Sequence, residues 1–203
     1  MFATWKGFYA MSDPSSTHVD RRKPLTANVG VVSVGLDTYW AQCPGLLEDM
    51  RKKEDAFVRK LDGCSVSVTR FGMADNPQRA ASMVPAMKAA DLDLLFVDMV
   101  TYATSSTFAP FVRELSCPVV LVALQPDERL DYEHATIYRQ LLNDDLCAVP
   151  EFTGVAVRLG RPVADVIIGR LDMEDNGDNE GQPYGKVVRP LRQKSALRRL
   201  SRE

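Results

Sequence analysis

The chain has 203 residues, of which 45% are hydrophobic, so it can form one well-buried globular domain together with its tails. Its 25 basic and 27 acidic residues give a formal net charge of −2, which argues against general binding to nucleic acid or to a membrane surface. No run of about 18 apolar residues is present, so the sequence predicts no membrane-spanning segment.

The chain opens with a segment that lacks a regular hydrophobic pattern. Residues 1–26 combine scattered aromatic residues with a polar, Pro-containing stretch and a short basic run, without the apolar region of a secretory signal. We therefore expect residues 1–26 to form a disordered N-terminal arm.

From residue 29 onward, apolar strands alternate with amphipathic helical stretches. The first apolar run is too continuous to alternate, which is typical of a strand buried on both faces of a parallel sheet. The predicted strands are 29–34, 65–70, 92–97, 118–124 and 163–168. The predicted helices are 46–61, 77–90, 105–115, 132–142 and 150–159. A turn at 72–77 is expected to start the second helix, with Asn76 as its cap and Pro77 as its first residue.

This alternation predicts a single α/β domain over residues 27–171. Strands that alternate with helices of this length form βαβ units with right-handed crossovers and a parallel sheet. Five strands are too few for a (β/α)₈ barrel and fit a flavodoxin-like order, 2-1-3-4-5. The sequence therefore predicts a three-layer α/β/α fold.

Beyond residue 171 the composition changes. Residues 172–203 are first acidic and then basic, and they contain too few apolar residues to build a second core. We expect a mobile tail, with binding of its basic part to phosphate or to an acidic surface as the alternative.

The candidate site lies where the strands end. A parallel sheet brings the carboxyl ends of its strands to one edge, which is where ligands bind in α/β proteins. The loops expected at this edge are 35–44, 71–76, 98–106, 124–131 and 169–173. Hydroxyl, amide and carboxylate groups beside aromatic rings suit a sugar, since each sugar hydroxyl both donates and accepts hydrogen bonds. The loops contain such a set: Asp37, Thr38, Tyr39, Trp40, Asp98, Thr101, Tyr102, Thr104, Ser105, Ser106, Gln125, Asp127 and Glu128.

We expect the loops that begin at Gly35, Asp98 and Gln125 to share one pocket. The first, third and fourth strands are neighbours in the predicted order, so Tyr39, Thr101 and Gln125 should point into it.

Simpler roles remain open for the same residues. Residues 104–106 could cap the helix that follows, and Asp37 could cap a turn. Tyr39 and Trp40 could merely pack over the edge of the sheet. The free N–H groups of the helix that begins near Ser105 could also receive an anion.

Complete catalytic motifs are missing from the sequence. It has no GxGxxG after the first strand, no GxxxxGK[ST] and no GxSxG. His18 falls in the arm and His134 in a charged stretch, so we expect both to be solvated. The four cysteines lack CxxC spacing. We expect Cys64 and Cys117 to be buried thiols, with a disulfide or metal role as the alternative. No residue is assigned as a catalytic or metal-binding residue.

Over about 140 residues the chain resembles the N-terminal domain of the L-arabinose isomerase and L-fucose isomerase family, especially its arabinose-isomerase-like branch. The matching stretches are VGLDTYW (34–40), LDLLFV (92–97), TYATSST (101–107), PVVLVALQP (118–126), VPE (149–151) and VADVIIG (163–169).

The resemblance implies a cytoplasmic protein of carbohydrate metabolism that acts on a small sugar. Members of this family interconvert aldoses and ketoses with manganese held by Glu and His side chains of the central and C-terminal domains. No residue of this chain corresponds to those ligands, so we expect no cofactor in this chain. The family's enzymes are oligomers whose N-terminal domain closes a neighbour's active site, which implies a homo-oligomer or a separate catalytic-half chain as partner.

By the same resemblance, the substrate-facing candidates are the loop at 37–39 and Gln125, and the strand-end loops add Thr101 and Tyr102. The predicted sugar-binding residues are therefore Asp37, Thr38, Tyr39, Thr101, Tyr102 and Gln125. The arabinose enzymes carry a Ser-Gln-His-Leu-Tyr-like loop, of which only Tyr39 is shared, and this argues against arabinose as the sugar.

Three functions are compatible with the sequence. The first is a sugar-isomerase N-terminal domain, truncated or split from its catalytic half, and the second is a free-standing module that binds a sugar or another metabolite. The third is an enzyme of another class on the same fold, because a fold does not fix a function.

Overall fold

The computed structural model describes residues 26–64 and 66–172. Their strands form one five-stranded sheet in the order β2-β1-β3-β4-β5, and every pairing is parallel. The strands are β1 (Asn28–Val34), β2 (Ser67–Ala74), β3 (Leu94–Met99), β4 (Val119–Gln125) and β5 (Asp165–Arg170). Helices flank the sheet, so the predicted three-layer α/β/α fold and its 2-1-3-4-5 order are confirmed. The predicted arm up to residue 25 and the predicted tail from residue 173 lie outside the described residues.

Six α-helices and one 3₁₀ turn (Asp62–Cys64) are found in the described part of the chain. The helices are α1 (Thr38–Gln42), α2 (Leu46–Leu61), α3 (Pro77–Ala89), α4 (Ser105–Glu114), α5 (Ile137–Leu142) and α6 (Val149–Arg158). The predicted bounds of α2 are confirmed. The start of α3 is confirmed as well, because Asn76 Oδ1 accepts a hydrogen bond of 2.8 Å from the Arg79 N–H.

The turn predicted at 72–77 is wrong over its first three residues, which continue β2. Arg70 pairs with Val31 and Gly72 pairs with Val32, so Phe71 is an extra residue in β2. Gly72 has φ +79°, a conformation that glycine adopts without a Cβ clash. A glycine that signals a turn can therefore form a bulge and leave the strand uninterrupted.

The helix predicted at 132–142 begins five residues late, and α1 was not predicted. Thr136 ends the irregular stretch, because its Oγ1 accepts a hydrogen bond from the Arg139 N–H and caps α5. Tyr132 and His134, expected in the helix, lie in an exposed turn before it.

The central strands are apolar on both faces and bury two layers of side chains. The α4 face, covered by α3, α4 and α6, holds the larger cluster, in which Phe108 and Phe152 stack with ring centroids 4.4 Å apart. The α2 face carries the second cluster, in which Phe57 of α2 meets Phe96 of β3 edge-on at 5.5 Å. The first pair joins α4 to α6, and the second joins α2 to the sheet.

Cys64 and Cys117 are buried thiols, as expected. None of the helices within residues 26–64 and 66–172 has the length and apolar character needed to cross a membrane.

Candidate functional site

The first predicted loop folds into the short helix α1 above the carboxyl end of β1. Asp37 and Thr38 are exposed, and Asp37 Oδ2 accepts a hydrogen bond of 3.0 Å from Asn76 Nδ2. Asp37 stands at the N-cap position of α1, but its side chain makes no capping hydrogen bond. Its carboxylate therefore ties the β1 loop to the β2 loop.

Tyr39 and Trp40 are half-buried on the same helix. Both pack against a small apolar cluster that includes Met50 and Val100. Burial raises the pKa of Tyr39, and the nearby Asp144 raises it further. The Tyr39 ring thus covers the sheet edge, as the packing alternative proposed, while its hydroxyl lies in the neighbourhood of Asp144.

Asp75 is a buried carboxylate that was not among the predicted site residues. One of its oxygens, Oδ2, accepts hydrogen bonds from Trp40 Nε1 at 2.8 Å and from Arg79 Nη1 at 2.7 Å. Trp40 is thereby oriented by a charge-assisted hydrogen bond.

Thr101 lies beneath the surface. It is fully buried, and its hydroxyl donates a hydrogen bond of 2.8 Å to the Leu141 carbonyl. Tyr102 is half-buried beside Glu151, and burial, followed by the charge of Glu151, raises its pKa.

Gln125 lines an open cleft with a volume of about 560 Å³ between the loop after β4 and helix α5. None of the other five predicted sugar-binding residues is among its lining residues. Those residues are Gln125, Asp127, Glu128, Arg129, Leu130, Tyr132, Gln140, Leu141, Asn143 and Asp144. Three of the lining residues are acidic and one is an arginine, and two of the acids form ion pairs, Asp127 with Arg139 and Glu128 with Arg170.

One wall of the cleft, residues 141–144, is held by side chains from three other elements. Three consecutive carbonyls each accept a hydrogen bond: Leu141 from Thr101, Leu142 from Lys53 Nζ at 2.9 Å, and Asn143 from Gln125 Nε2 at 2.9 Å. Thr101 and Gln125 were both predicted to point into one pocket, and the structure brings them together on the backbone of this wall.

The side chain of Asn143 binds the loop after β4. Asn143 Oδ1 accepts a hydrogen bond of 3.0 Å from the Asp127 N–H, and Asn143 Nδ2 donates one of 2.8 Å to Asp127 Oδ2. Asp127 also pairs with Arg139. These bonds join the loop after β4 to the end of α5, so the cleft is preformed.

A buried ionic cluster lies behind this wall. Lys53 Nζ is 2.5 Å from Asp145 Oδ1 and donates a further hydrogen bond of 2.7 Å to the Val100 carbonyl. Glu54 accepts hydrogen bonds from Ser33 Oγ at 3.0 Å and from Arg70 Nε at 2.9 Å. All three protons of the Lys53 ammonium are thus used to fix α2 against β3 and the cleft wall.

Two acids of the cluster have strongly shifted pKa values. Burial raises the pKa of Asp98 to about 8, while the Lys53 ammonium opposes the shift. Burial also raises the pKa of Asp145 to about 7, although its contact with Lys53 favours the carboxylate. Asp145 Oδ2 is buried and has no hydrogen-bond partner in the described structure.

The sequence of α2 contains a signal for this cluster. Lys53 and Glu54 lie three and four residues from both Met50 and Phe57, which places them on the buried side of α2. Charges on the apolar side of a helix indicate buried partners.

The N-terminus of α4 is occupied by a carboxylate of the chain itself. Thr104 stands at the N-cap position but makes no capping hydrogen bond. Instead, Glu151 Oε1 of α6 accepts a hydrogen bond of 2.8 Å from the Ser105 N–H. The anion site expected at this helix end is therefore used to join α6 to α4.

Manganese does not fit the residues that the structure describes. Within them, no group of three or more His, Cys, Asp or Glu side chains is arranged to hold a metal ion. The carboxylates that come together at the sheet edge, Asp98, Asp145 and Glu54, face Lys53, Arg70 and the Ser33 hydroxyl instead.

Comparison with known proteins gave no match to a protein-family model, and no curated protein matches the chain at a significant level.

Proposed function

We propose that the chain is the N-terminal domain of a sugar (aldose–ketose) isomerase-like protein of cytoplasmic carbohydrate metabolism. In this proposal it supplies substrate contacts and an oligomer interface, and the metal and the catalytic residues come from another part of the assembly. The supporting observation is the preformed polar cleft at the carboxyl end of β4, which Gln125 lines.

The chemistry of the cleft suits a neutral polyol. Gln140 and Asp144 are among the residues that line the cleft. The 84% exposed Tyr132 offers an aromatic face at the rim, on which the apolar face of a sugar ring can pack. The volume of about 560 Å³ falls within the range of ligand pockets, about 300–1,000 Å³.

The domain's own share of the reaction is recognition. In the family that the sequence resembles, manganese held by the other domains would stabilise the oxygens of the reacting sugar. This chain's residues then hold hydroxyl groups: the Gln140 amide donates and accepts, and the Asp144 carboxylate accepts. The hydrogen bonds of the wall at 141–144 position the backbone at Asp144 before the sugar arrives, which lowers the entropic cost of binding.

A free-standing sugar- or metabolite-binding module is the second candidate function. It is favoured by the internal bonding of the cleft, because Thr101, Lys53 and Gln125 shape the wall without a partner chain.

Titration of the full chain with neutral aldoses and ketoses, followed by NMR and calorimetry, tests the proposal. We expect the side-chain amide signals of Gln125 and Gln140 to shift on addition of sugar. Gln140→Ala should weaken binding by roughly 5- to 10-fold, since one neutral hydrogen bond contributes about 1 kcal/mol. Gln78→Ala, an exposed glutamine on α3, is the matched control and should leave binding unchanged.

The outcome separates the candidates. Saturable binding that Gln140→Ala weakens supports the sugar-binding cleft, which both candidates require. An affinity that a catalytic-half chain strengthens then favours the isomerase domain, and an affinity that it leaves unchanged favours the free-standing module. A sugar that binds equally well to the Gln140→Ala and Gln78→Ala variants places its site outside the cleft and contradicts both.

A further inference from the structure

Acids outnumber bases in the buried cluster behind the cleft wall. Glu54, Asp98 and Asp145 are each at most 3% exposed, and the cations paired within the cluster are Lys53 and Arg70. With all three acids ionised, the cluster would hold one negative charge more than these cations balance. Burial of an unbalanced charge is costly, so the cluster favours the state in which one acid keeps its proton.

Hydrogen-bond donors are also scarce in this cluster. Ser33 Oγ lies 3.0 Å from Glu54 Oε2 and 3.4 Å from Asp98 Oδ2, but its hydroxyl has one proton and donates to one carboxylate at a time. Asp145 Oδ2 is buried and has no hydrogen-bond partner among the described residues. A proton on Asp98 removes the competition at Ser33, because a protonated carboxyl can itself donate. Charge balance and hydrogen bonding are therefore both satisfied best when Asp98 holds the proton.

Lys53 connects this proton to the cleft. Its ammonium donates to Asp145 Oδ1 at 2.5 Å, to the Val100 carbonyl at 2.7 Å and to the Leu142 carbonyl at 2.9 Å, which uses all three of its protons. An ionised Asp98 attracts the same ammonium, so a new bond to Asp98 requires one of these three to break. The bond to Leu142 is the longest, and its acceptor carries no charge.

We infer that the cluster is a proton-controlled latch on the cleft: loss of its one proton draws Lys53 from the Leu142 carbonyl toward Asp98 and releases the wall at 141–144. The wall loosens without unfolding, because Thr101 and Gln125 still bind the carbonyls of Leu141 and Asn143.

The direction of the switch follows from the surroundings of Asp98. The polar groups that act on its carboxyl come from three neighbouring elements and are Lys53 and Glu54 of α2, Ser33 of β1 and Asp145 after α5. In the sheet, Asp98 also pairs with the apolar Val122 of β4. Arg70 of β2 pairs with Glu54 and with the half-exposed Asp55. Burial is the largest effect and raises the pKa of Asp98 to about 8, against the attraction of Lys53.

Asp145 ionises before Asp98 does. Burial raises the pKa of Asp145 to about 7, and the neighbouring Asp144 adds to this shift, while Lys53 opposes it. As pH rises, Asp145 therefore forms its ion pair with Lys53 first, and Asp98 loses its proton afterwards. The wall is held by Lys53 up to about pH 8 and is released above it.

The consequence for sugar binding rests on the proposed function, whereas the release of the wall does not. We expect the affinity of the cleft for a neutral sugar to fall by roughly 5- to 10-fold between about pH 7.5 and pH 9.5, because the wall loses one of its hydrogen bonds.

An NMR titration of the full chain without sugar tests the latch. The carbonyl carbon of Leu142 and the carboxyl carbon of Asp98 are followed between about pH 7.5 and pH 9.5. We expect both signals to move with one midpoint, near pH 8. In Asp98→Asn, which cannot ionise, the Leu142 signal should stay constant over this range. Asp62→Asn, an exposed acid at the end of α2, is the matched control and should keep the midpoint of the parent.

Three results would overturn the latch. The first is an Asp98 signal that does not titrate in this range. The second is a Leu142 signal that stays constant while Asp98 titrates, a comparison made in the parent chain and independent of any variant. The third is a titration of Leu142 that persists in folded Asp98→Asn. A parent chain that shows the shared midpoint but binds no sugar supports the latch and contradicts the proposed function instead.

Discussion

Four buried ionisable residues lie beneath the candidate site. Lys53, Glu54, Asp98 and Asp145 are each at most 5% exposed and lie within one cluster. Burial of a charge is costly unless it is paired, and Lys53 with Asp145 and Glu54 with Arg70 satisfy this condition. The Asp98 carboxyl accepts a hydrogen bond of 3.4 Å from the Ser33 hydroxyl, and because burial raises its pKa to about 8, its neutral form is favoured at neutral pH.

Replacement of Asp98 by asparagine should flatten the dependence of stability on pH. The folded chain keeps the Asp98 proton up to about pH 8, whereas the unfolded chain releases it near pH 4. Because the folded pKa is raised, this contribution to stability is fully present below about pH 4 and is lost as pH rises through about 8. Asp98→Asn cannot ionise, so its free energy of unfolding should fall less between about pH 5 and pH 9.

Urea unfolding at a series of pH values measures this effect. Asp62→Asn, an exposed acid at the end of α2, is the control and should follow the parent curve. Asp145, whose pKa is raised to about 7, keeps part of the pH dependence in both variants. Parallel curves for the parent and Asp98→Asn would show that Asp98 does not titrate in this range.

At the scale of elements, helix ends are fixed by side chains from two kinds of source. Asn76 caps α3 from within its own sequence, while Glu151 of α6 caps α4 from across the structure. The first kind can be recognised from a sequence pattern. The second depends on two helices meeting, and only the folded chain shows it.

Asn76→Ala should lower the free energy of unfolding by about 1 kcal/mol, the usual loss for an N-cap side chain. The Arg79 N–H loses its acceptor, and Asp37 loses its hydrogen bond from the Asn76 amide. Chemical denaturation measures the loss, and Gln78→Ala in the same helical turn should change stability far less. Equal stability of the two variants would contradict the capping role.

The elements themselves were largely predictable from the sequence. The buried strands, the whole of α2 and the start of α3 follow from hydrophobic periodicity and from the Asn-Pro pair. The bulge at Gly72 was not predictable, because a glycine marks turns and bulges alike and only strand pairing decides between them. Helix α5 starts late because Thr136 caps it. The charged residues before Thr136 fit a helical pattern, so the sequence did not indicate this start.

The candidate site was predictable only in part. Gln125 is the last residue of a buried strand, and the rule for parallel sheets is enough to place it at the binding edge. The wall at 141–144 was missed, because its position depends on Lys53 and Thr101, which are distant in sequence. A pattern of residue types cannot show which backbone carbonyls a buried side chain will bind.

At the scale of the whole molecule, recognition and catalysis are separate requirements. The described residues supply a polar cleft and a rigid sheet that positions it. An aldose–ketose isomerisation also needs a base beside the carbonyl and a metal that stabilises the developing oxyanion. The sequence contains two histidines, and of these His134 is exposed and bonded to Asp131 through Nδ1 at 2.9 Å.

We therefore predict that the isolated chain does not isomerise aldoses, even when manganese is added. His18 and His134 are the only histidines of the chain, and no described cluster of carboxylates joins His134 to form a metal site. The chain should be incubated with arabinose, fucose and other aldoses, with and without manganese, and ketose formation measured against buffer. A matched sample with a chelator serves as the control. Conversion above buffer that the chelator abolishes would show that the chain carries a complete active site, and the separation of recognition from catalysis would then be wrong.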